Sequence, residues 1–482
     1  PEVAEASALF APENHQVLTQ PAVRLIVGDG RSHLAFTRRQ YDVIVSEPSN
    51  PWMAGIAALF TREFFETARG RLRTGGVMCQ WAHTYDISRD DLRSIVRTFG
   101  EVFPQSTLWM VGDGDLLMIG TAGPSIDQHL GDLARRLGDG RVATLLGDVS
   151  LGGPEAPFSL ASLLVGGPAE VQRYAGDALV QTDDRMALEF SGPRAIYGRS
   201  SSDNASEVRA LTTGAAVPSM KPLWEAATDV SWAAAGTTEL KGDAYNAAFD
   251  RFQRALAINP RNIAALSGLS DAAAGAQKGD AARQMLERLA QEQPSNAEVR
   301  IELSRVYAAG GNMERAALVA AEAMRLAPDD PRAPEQLASV FADANQADRL
   351  MGLASVMVSR YPDRDRSRYF RATAYMLQNR AAEAVAEIRP VALRARDDIR
   401  TQNLLGVACA TVGDRPCALA AFQAALAANP RDPATLVNLG VYYLQTEPSR
   451  AAEAFQTALT IDRTSQPARQ GLAEARAALG KR

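Results

Sequence analysis

Prolines stand at positions 260, 294, 328, 362 and 430, each 34 residues or twice 34 from the next, and Arg396 fills the vacant slot. A period held this tightly across half the chain restricts the fold more than any other feature. Each repeat must be one supersecondary unit that buries its apolar face against its neighbours. The same ruler orders other residues. Trp232, Gly236, Ala248, Phe252, Ala255 and Pro260 recur as Leu405, Gly406, Ala418, Phe422, Ala425 and Pro430. They recur again as Leu439, Gly440, Tyr443, Ala451, Phe455 and Ala458, with one residue deleted. Small residues at fixed positions let two antiparallel helices approach closely, and the aromatics fill the gaps between successive pairs. Residues 229–466 therefore read as an all-α solenoid of about seven helix pairs, the fourth and fifth degenerate, with a capping helix in 467–482.

This pattern resembles the tetratricopeptide repeat, whose spacing is 34 residues. Solenoids of that kind present a long concave surface to peptides or helices. A protein partner on the concave face is the expectation, and no charged or aromatic signature on the repeats says which.

The rest of the chain has a different grammar. With 482 residues the protein is too long for one core. In residues 1–122 short runs rich in Val and Ile alternate with helical stretches. The strand candidates are "VRLIVGD" (23–29), "YDVIVSE" (41–47), "GGVMCQWA" (75–82), "STLWMVG" (106–112) and "DLLMIGTA" (115–122), and helical patterns fill 54–73 and 88–102. Alternation of this kind predicts an α/β domain with a mostly parallel sheet covered on both faces. Ligands of such sheets bind beyond the carboxyl ends of the strands. Those tips carry Asp29, Glu47, Asn50 and Gln80. Residues 196–228, with proline, glycine and serine, read as a linker.

Composition narrows the partners. A net charge of −5 with 22% charged residues offers no electrostatic reason to bind nucleic acid. Three scattered cysteines (Cys79, Cys409, Cys417) give no disulfide framework or zinc site, which suits a reducing compartment. Four isolated histidines (His15, His33, His83, His129) build no metal centre, so no metal is expected. No apolar run reaches the roughly 18–20 residues that span a bilayer.

The order "VGDGR", then "YDVIVSEPSNPW…LFTREFF", then "RLRTGGVMCQW", then "TDDRMALEF" resembles the spermidine synthase family of polyamine aminopropyltransferases over roughly residues 1–195. The likeness is to the bacterial synthase-like proteins in which this domain is fused to a membrane-embedded transporter-like region. It implies the Rossmann-like sheet of the class I S-adenosylmethionine methyltransferases. It also implies a cytoplasmic setting, free or as the cytoplasmic part of an inner-membrane protein. Placed on the family, Pro1 falls just after the second strand. The glycine-rich loop, the ribose-binding acid and the central strand are then expected upstream, and the domain as given reads as truncated and inactive by itself.

The resemblance also assigns roles. Gly28, Asp29 and Gly30 form the turn after a strand, where the Asp29 carboxylate would accept the adenine amino group of decarboxylated S-adenosylmethionine or S-adenosylmethionine; the plain alternative is a turn former. The family carries aspartates at the tip of its fourth strand, in a D-x-x-D-P pattern. Here "EPSNP" stands in that place, with Glu47 for the first acid and Asn50 for the second. Glu47 would help seat the donor and remove the proton of a putrescine-like amine. Asn50 can accept a hydrogen bond from that amine but cannot carry its proton away. Asn50, Trp52, Gln80 and Tyr85 would line the amine site. The run Asn50-Pro51-Trp52 weakly resembles the N-P-P-Y tip of enzymes that methylate amino nitrogens. Asp183 and Asp184 lie in a family-like segment. Three readings follow: an aminopropyltransferase domain coupled to a protein-binding solenoid, a methyltransferase acting on an amine, or a catalytically silent sheet domain in a scaffold.

Overall fold

The computed structural model describes residues 2–480 other than 12–13, 52, 54, 124, 138–141, 143, 145, 148–153, 196–200 and 212–216. The chain divides into two compact units, Pro1–Ala276 and Gln277–Arg482.

The first unit is built on a five-stranded sheet of β1 (Tyr41–Ser46), β2 (Leu72–His83), β3 (Ser106–Val111), β4 (Asp115–Thr121) and β5 (Leu164–Gly166), in the order β1-β2-β4-β3-β5. The sheet is mixed. Only β1 and β2 run parallel; β2–β4, β3–β4 and β3–β5 are antiparallel. The expectation of a mostly parallel sheet fails for a local reason. Three residues, 112–114, separate β3 from β4, and Gly112 takes φ +63° there, so the chain must return as a hairpin. The run "VRLIVGD" is not a strand either. Residues 23–27 have no regular structure, and Leu25, Ile26 and Val27 are 55%, 53% and 65% exposed. A strand exists only with a partner to share its backbone bonds. Among the described residues β1 pairs with β2 alone.

One face of the sheet packs the helices Arg62–Arg71 and Arg89–Val102. The first starts at Thr61, whose hydroxyl accepts from Phe64 N, and the second at Ser88, which accepts from Asp91 N. Apolar residues at helical spacing, Leu92, Ile95, Val96, Phe99 and Val102, turn that second helix inward. They meet Phe60, Phe65, Met78, Leu108 and Met118, with Phe65 edge-on to Phe99 at 5.2 Å. Trp109, Ile126, Leu130, Ala161 and Leu164 form a second cluster, against which Leu117 and Ile119 of β4 pack. In register with Cys79 and Ile119, Val45 belongs to that same face, yet it is 66% exposed, and Val43 57%. The stretch read as a linker contains the helix Ser201–Ala210, which buries Ala205 and Val208 in the first cluster. Asn204 Nδ2 there donates to Thr84 O and Ile87 O.

Three helices of the repeat register, Asp229–Lys241, Tyr245–Ile258 and Ile263–Gly275, belong to this unit. Phe158, Trp224 and Trp232 meet edge to face, and the buried Arg251 donates to Ser162 O. The second unit runs from the helix Gly279–Glu292 to Gln466–Gly480, with helix starts recurring at or near the 34-residue spacing. Ala282, Ala316, Leu350, Ala384, Ala418 and Ala451 occupy one register position and are all fully buried. The solenoid half is all-α, as the period requires. No helix among the described residues is long and apolar enough to cross a membrane.

The small-residue rule is testable at Gly406. A Cβ there would lie 2.4 Å from the ring of Phe422, which is itself buried. Alanine gains up to about 1 kcal/mol of helix propensity, but overpacking a closed contact costs roughly 1–3 kcal/mol. Gly406→Ala should therefore lower the unfolding midpoint of the protein, and adding Phe422→Leu should restore part of it. A midpoint at or above wild type for Gly406→Ala would refute the packing argument.

Candidate functional site

The tips of β1 and β2 carry the polar groups expected from the sequence. Ser46 and Gln80 are in register at the carboxyl end of the parallel pair, and Glu47 follows directly. Its carboxylate is exposed. Pro48 and Ser49 lead to Asn50, half-buried, whose carbonyl accepts from Met53 N to close a turn over the buried Pro51. Among the described residues neither the Glu47 carboxylate nor the Asn50 amide has a side-chain partner. Trp52, expected to wall the amine site, lies outside the described residues.

Beside Glu47 stands Cys79. Burial pushes its thiol upward, and the negative charge of Glu47 adds to the shift. Gln80 is fully buried on the opposite face; its Nε2 donates to Trp81 O at 3.0 Å and its Oε1 has no partner among the described residues. The side chain expected to line the amine site is thus enclosed, and its acceptor is not open to solvent. Further along β2, Trp81 Nε1 donates to Asp115, and His83 lies 4.7 Å from the ring of Tyr85. Tyr85 is 37% exposed, with Gly114 close against its ring. Burial raises its hydroxyl pKa, with Asp115 and Asp86 contributing.

Asp29 has a different setting. It is the N-cap of the helix Gly30–Phe36, accepting from Ser32 N at 2.6 Å, and hydrogen bonding from the Ser32 side chain first, then from its backbone N–H, holds its pKa below the ordinary carboxylate value. Gly28 and Gly30 are exposed, and a Cβ at either would meet nothing within 4 Å. The turn is open. Ser32 engages the carboxylate through its side chain and its N–H, and the remaining lone pairs face solvent. No hydrogen bond joins Asp29, Glu47 and Tyr85 to one another among the described residues.

Asp183 holds this region together. Its carboxylate accepts from Arg31 Nη2 at 2.5 Å and from Thr61 Oγ1 at 2.8 Å, and its own N–H donates to Glu63 Oε2. Arg31 also donates to Ala58 O. The late "TDDR" segment thus latches the Asp29 turn to the segment that follows the Glu47 loop. Reading the sequence singled out Asp183 but missed Arg31, 152 residues away. It also missed His83 and Cys79, although the period-two alternation of "CQWAH" places both beside Trp81.

His83 makes a prediction. Burial pushes its imidazole from 6.5 down to about 4. The unfolded chain takes up this proton near pH 6.5 and the folded chain only near 4, so the unfolded state binds more protons between those values. Stability from this group is fully present above about pH 6.5 and is lost as pH falls toward 4. The unfolding midpoint of the wild type should fall more steeply over that window than that of His83→Gln. Parallel pH profiles would remove His83 as the cause.

The family model described as the spermine/spermidine synthase domain matches residues 1–111, and two tetratricopeptide repeat models match 273–339 and 405–466. A spermidine synthase of Dictyostelium discoideum is 28% identical over 102 residues, covering 21% of this chain and 36% of that protein. Putrescine N-methyltransferase 2 of Nicotiana tabacum is 28% identical over 134 residues, covering 26% of this chain and 38% of that protein. The chain thus spans well under half the length of these curated relatives. Among solved structures, a tetratricopeptide repeat protein from Parabacteroides merdae aligns with 51% of this chain and 98% of its own, at 14% identity and a TM-score of 0.42.

Proposed function

The chain carries a spermidine synthase domain at its N-terminus followed by tetratricopeptide repeats, and from that premise we propose that the β1 tip handles a small primary amine in transfer from an S-adenosyl sulfonium donor. The observation that carries the proposal is the pair Glu47 and Asn50, a carboxylate and an amide at one strand tip with no side-chain partner among the described residues. Asp113 and Asp183 are engaged by backbone and side-chain donors, whereas Glu47 stands open to solvent. A free carboxylate at a strand end is available to a cation.

The chemistry follows from the amine. An alkylammonium has a pKa of about 10 and no lone pair to attack with. Glu47 accepts one N–H proton, and Asn50 Oδ1 accepts a hydrogen bond from a second N–H and orients the nitrogen. The nitrogen lone pair then attacks the aminopropyl carbon next to sulfur. As the C–N bond forms the C–S bond breaks, and its electron pair stays on sulfur, leaving neutral 5′-methylthioadenosine. Asp29 holds the adenine amino group and Tyr85 packs beside the substrate. No metal is needed to make sulfur a leaving group, since a sulfonium already carries the charge.

Methyl transfer to the same amine is the second reading. Asn50 favours it, because an amide stands where the aminopropyltransferase pattern has its second acid, and the relatives include a putrescine N-methyltransferase. In either reading the repeats dock a protein partner on their concave face.

The test is an assay of the full-length protein with putrescine and either decarboxylated or ordinary S-adenosylmethionine. Turnover with the first donor supports aminopropyl transfer, and with the second methyl transfer. Glu47→Gln should lower the rate by roughly 10²–10⁴-fold, the reach of a positioned base. Asn50→Asp should tighten putrescine binding, since hydrogen bonds to a charged acceptor are about twice as strong as neutral ones. A rate unchanged in Glu47→Gln removes it from the mechanism, and no turnover by wild type with either donor leaves the silent scaffold.

A further inference from the structure

Two of the three cysteines meet in the second unit. Cys409 lies in the last turn of the helix Ile399–Val412, and Cys417 in the first turn of the helix Arg415–Ala428. Gly413, at φ +85°, ends the first helix in the left-handed conformation, and Asp414 caps the second by accepting from Cys417 N. This tight turn brings the two Cα atoms to 5.8 Å and the sulfurs into a disulfide. The sequence expectation of no disulfide fails here because the partners, eight positions apart, lie on different helices that a tight turn folds together, which a count of cysteines does not reveal.

The two sulfurs are not equivalent. Cys409 is fully buried, while Cys417 is partly open to solvent. From the helix Ala381–Arg394, Arg389 Nη2 lies 3.6 Å from Cys417 Sγ, 3.9 Å from Cys409 Sγ and 3.2 Å from Asp414. Cys417 therefore has a helix N-terminus and a guanidinium that favour a thiolate, with the Asp414 carboxylate, paired to Arg389, opposing them in part. Its partner sits behind it, shielded from solvent. Nothing in the amine chemistry of the first unit uses this arrangement.

We propose that Cys417 and Cys409 form a reversible thiol–disulfide site that reacts with low-molecular-weight disulfides, Cys417 as the attacking thiolate and Cys409 as the resolving thiol. In the reduced protein the Cys417 thiolate attacks one sulfur of the external disulfide and forms a mixed disulfide, and one external thiolate leaves. Cys409 then loses its proton and attacks Cys417 Sγ, releasing the second external thiolate. Two electrons pass from the protein to the external disulfide, and the two protons of the cysteines end on the two released thiols. The product ties the ends of two repeat helices together, so the redox state of the surroundings sets how firmly this hairpin is closed. Reduction runs the same path backwards and begins at Cys417, the sulfur that solvent reaches.

The experiment exposes the reduced full chain to oxidised glutathione, quenches by alkylation and counts free thiols by mass. Wild type should go from three alkylated cysteines to one, Cys79, without a lasting adduct. Cys409→Ser should trap a single glutathionyl group on Cys417. Arg389→Gln, an exposed substitution that leaves the helices intact, should slow the reaction roughly tenfold by removing charge from the attacking thiolate. Three free thiols at equilibrium, an adduct that forms at Cys79 in preference to Cys417, or an unchanged rate in Arg389→Gln would each overturn the proposal.

Discussion

One carboxylate on the turn between β3 and β4 joins the sheet to the repeats. Asp113 accepts from the backbone N–H groups of Asn246 and Ala247 at 2.9 and 3.0 Å, and from Arg209 Nη2 at 2.9 Å. The helix Tyr245–Ile258 begins at Ala244, which has no side-chain acceptor for the bare N–H groups of its first turn. Asp113 supplies that cap from a distant part of the chain, and its charge opposes the positive end of the helix. Below it Arg251 is fully desolvated, and burial pushes its pKa down to about 10, so it stays charged at neutral pH. Glu239 is raised by burial and drawn back by Arg251. The first repeat helices are therefore held by directional, desolvated contacts as well as by the aromatic cluster of Phe158, Trp224 and Trp232.

The solenoid was legible because its signal is redundant. Seven copies of one register average out local departures, and the glycines at the helix crossings meet an aromatic of the same repeat or the preceding one. Gly236 and Gly268 both press on Phe252, and Gly440 and Gly471 on Phe455. The sheet had one copy of each strand and no such averaging. "YDVIVS" and "STLWMV" were legible from apolar runs of strand length. "VRLIV" has the same composition but no partner, and pairing is not written in a strand's own residues. The helix Ser201–Ala210 was hidden for the opposite reason. Its serines and Asn204 look like linker, yet Asn204 closes the buried backbone carbonyls of the Thr84–Ile87 loop.

At the candidate site, what could be read was position along the chain: polar residues directly after apolar strands. What could not be read was closure in space. The latch of Arg31, Thr61 and Glu63 onto Asp183 spans most of the first domain, and the Cys409–Cys417 pair depends on the angle of a turn. Asp29 reads in the sequence as a ligand for adenine or as a turn former, and the structure gives it a capping role, held by the N–H and the side chain of Ser32. A carboxylate has about four lone-pair sites, so capping does not exhaust it.

Exposure of Glu47 decides how the proposed chemistry must work. Two unit charges 4 Å apart attract by about 1 kcal/mol in water but by about 4 kcal/mol at an effective dielectric of 20. A carboxylate in bulk solvent thus holds an ammonium weakly and discriminates little between ground and transition states. The face of β1 next to Glu47 is apolar, with Val43 and Val45 exposed and Cys79 between the strands. A nucleoside laid across that face would cover the valines and exclude water from the tip in the same event. On this account donor binding precedes productive amine binding. Under the proposed chemistry, apolar burial at roughly 25 cal/mol per Å² would convert Glu47 from a screened surface charge into a base.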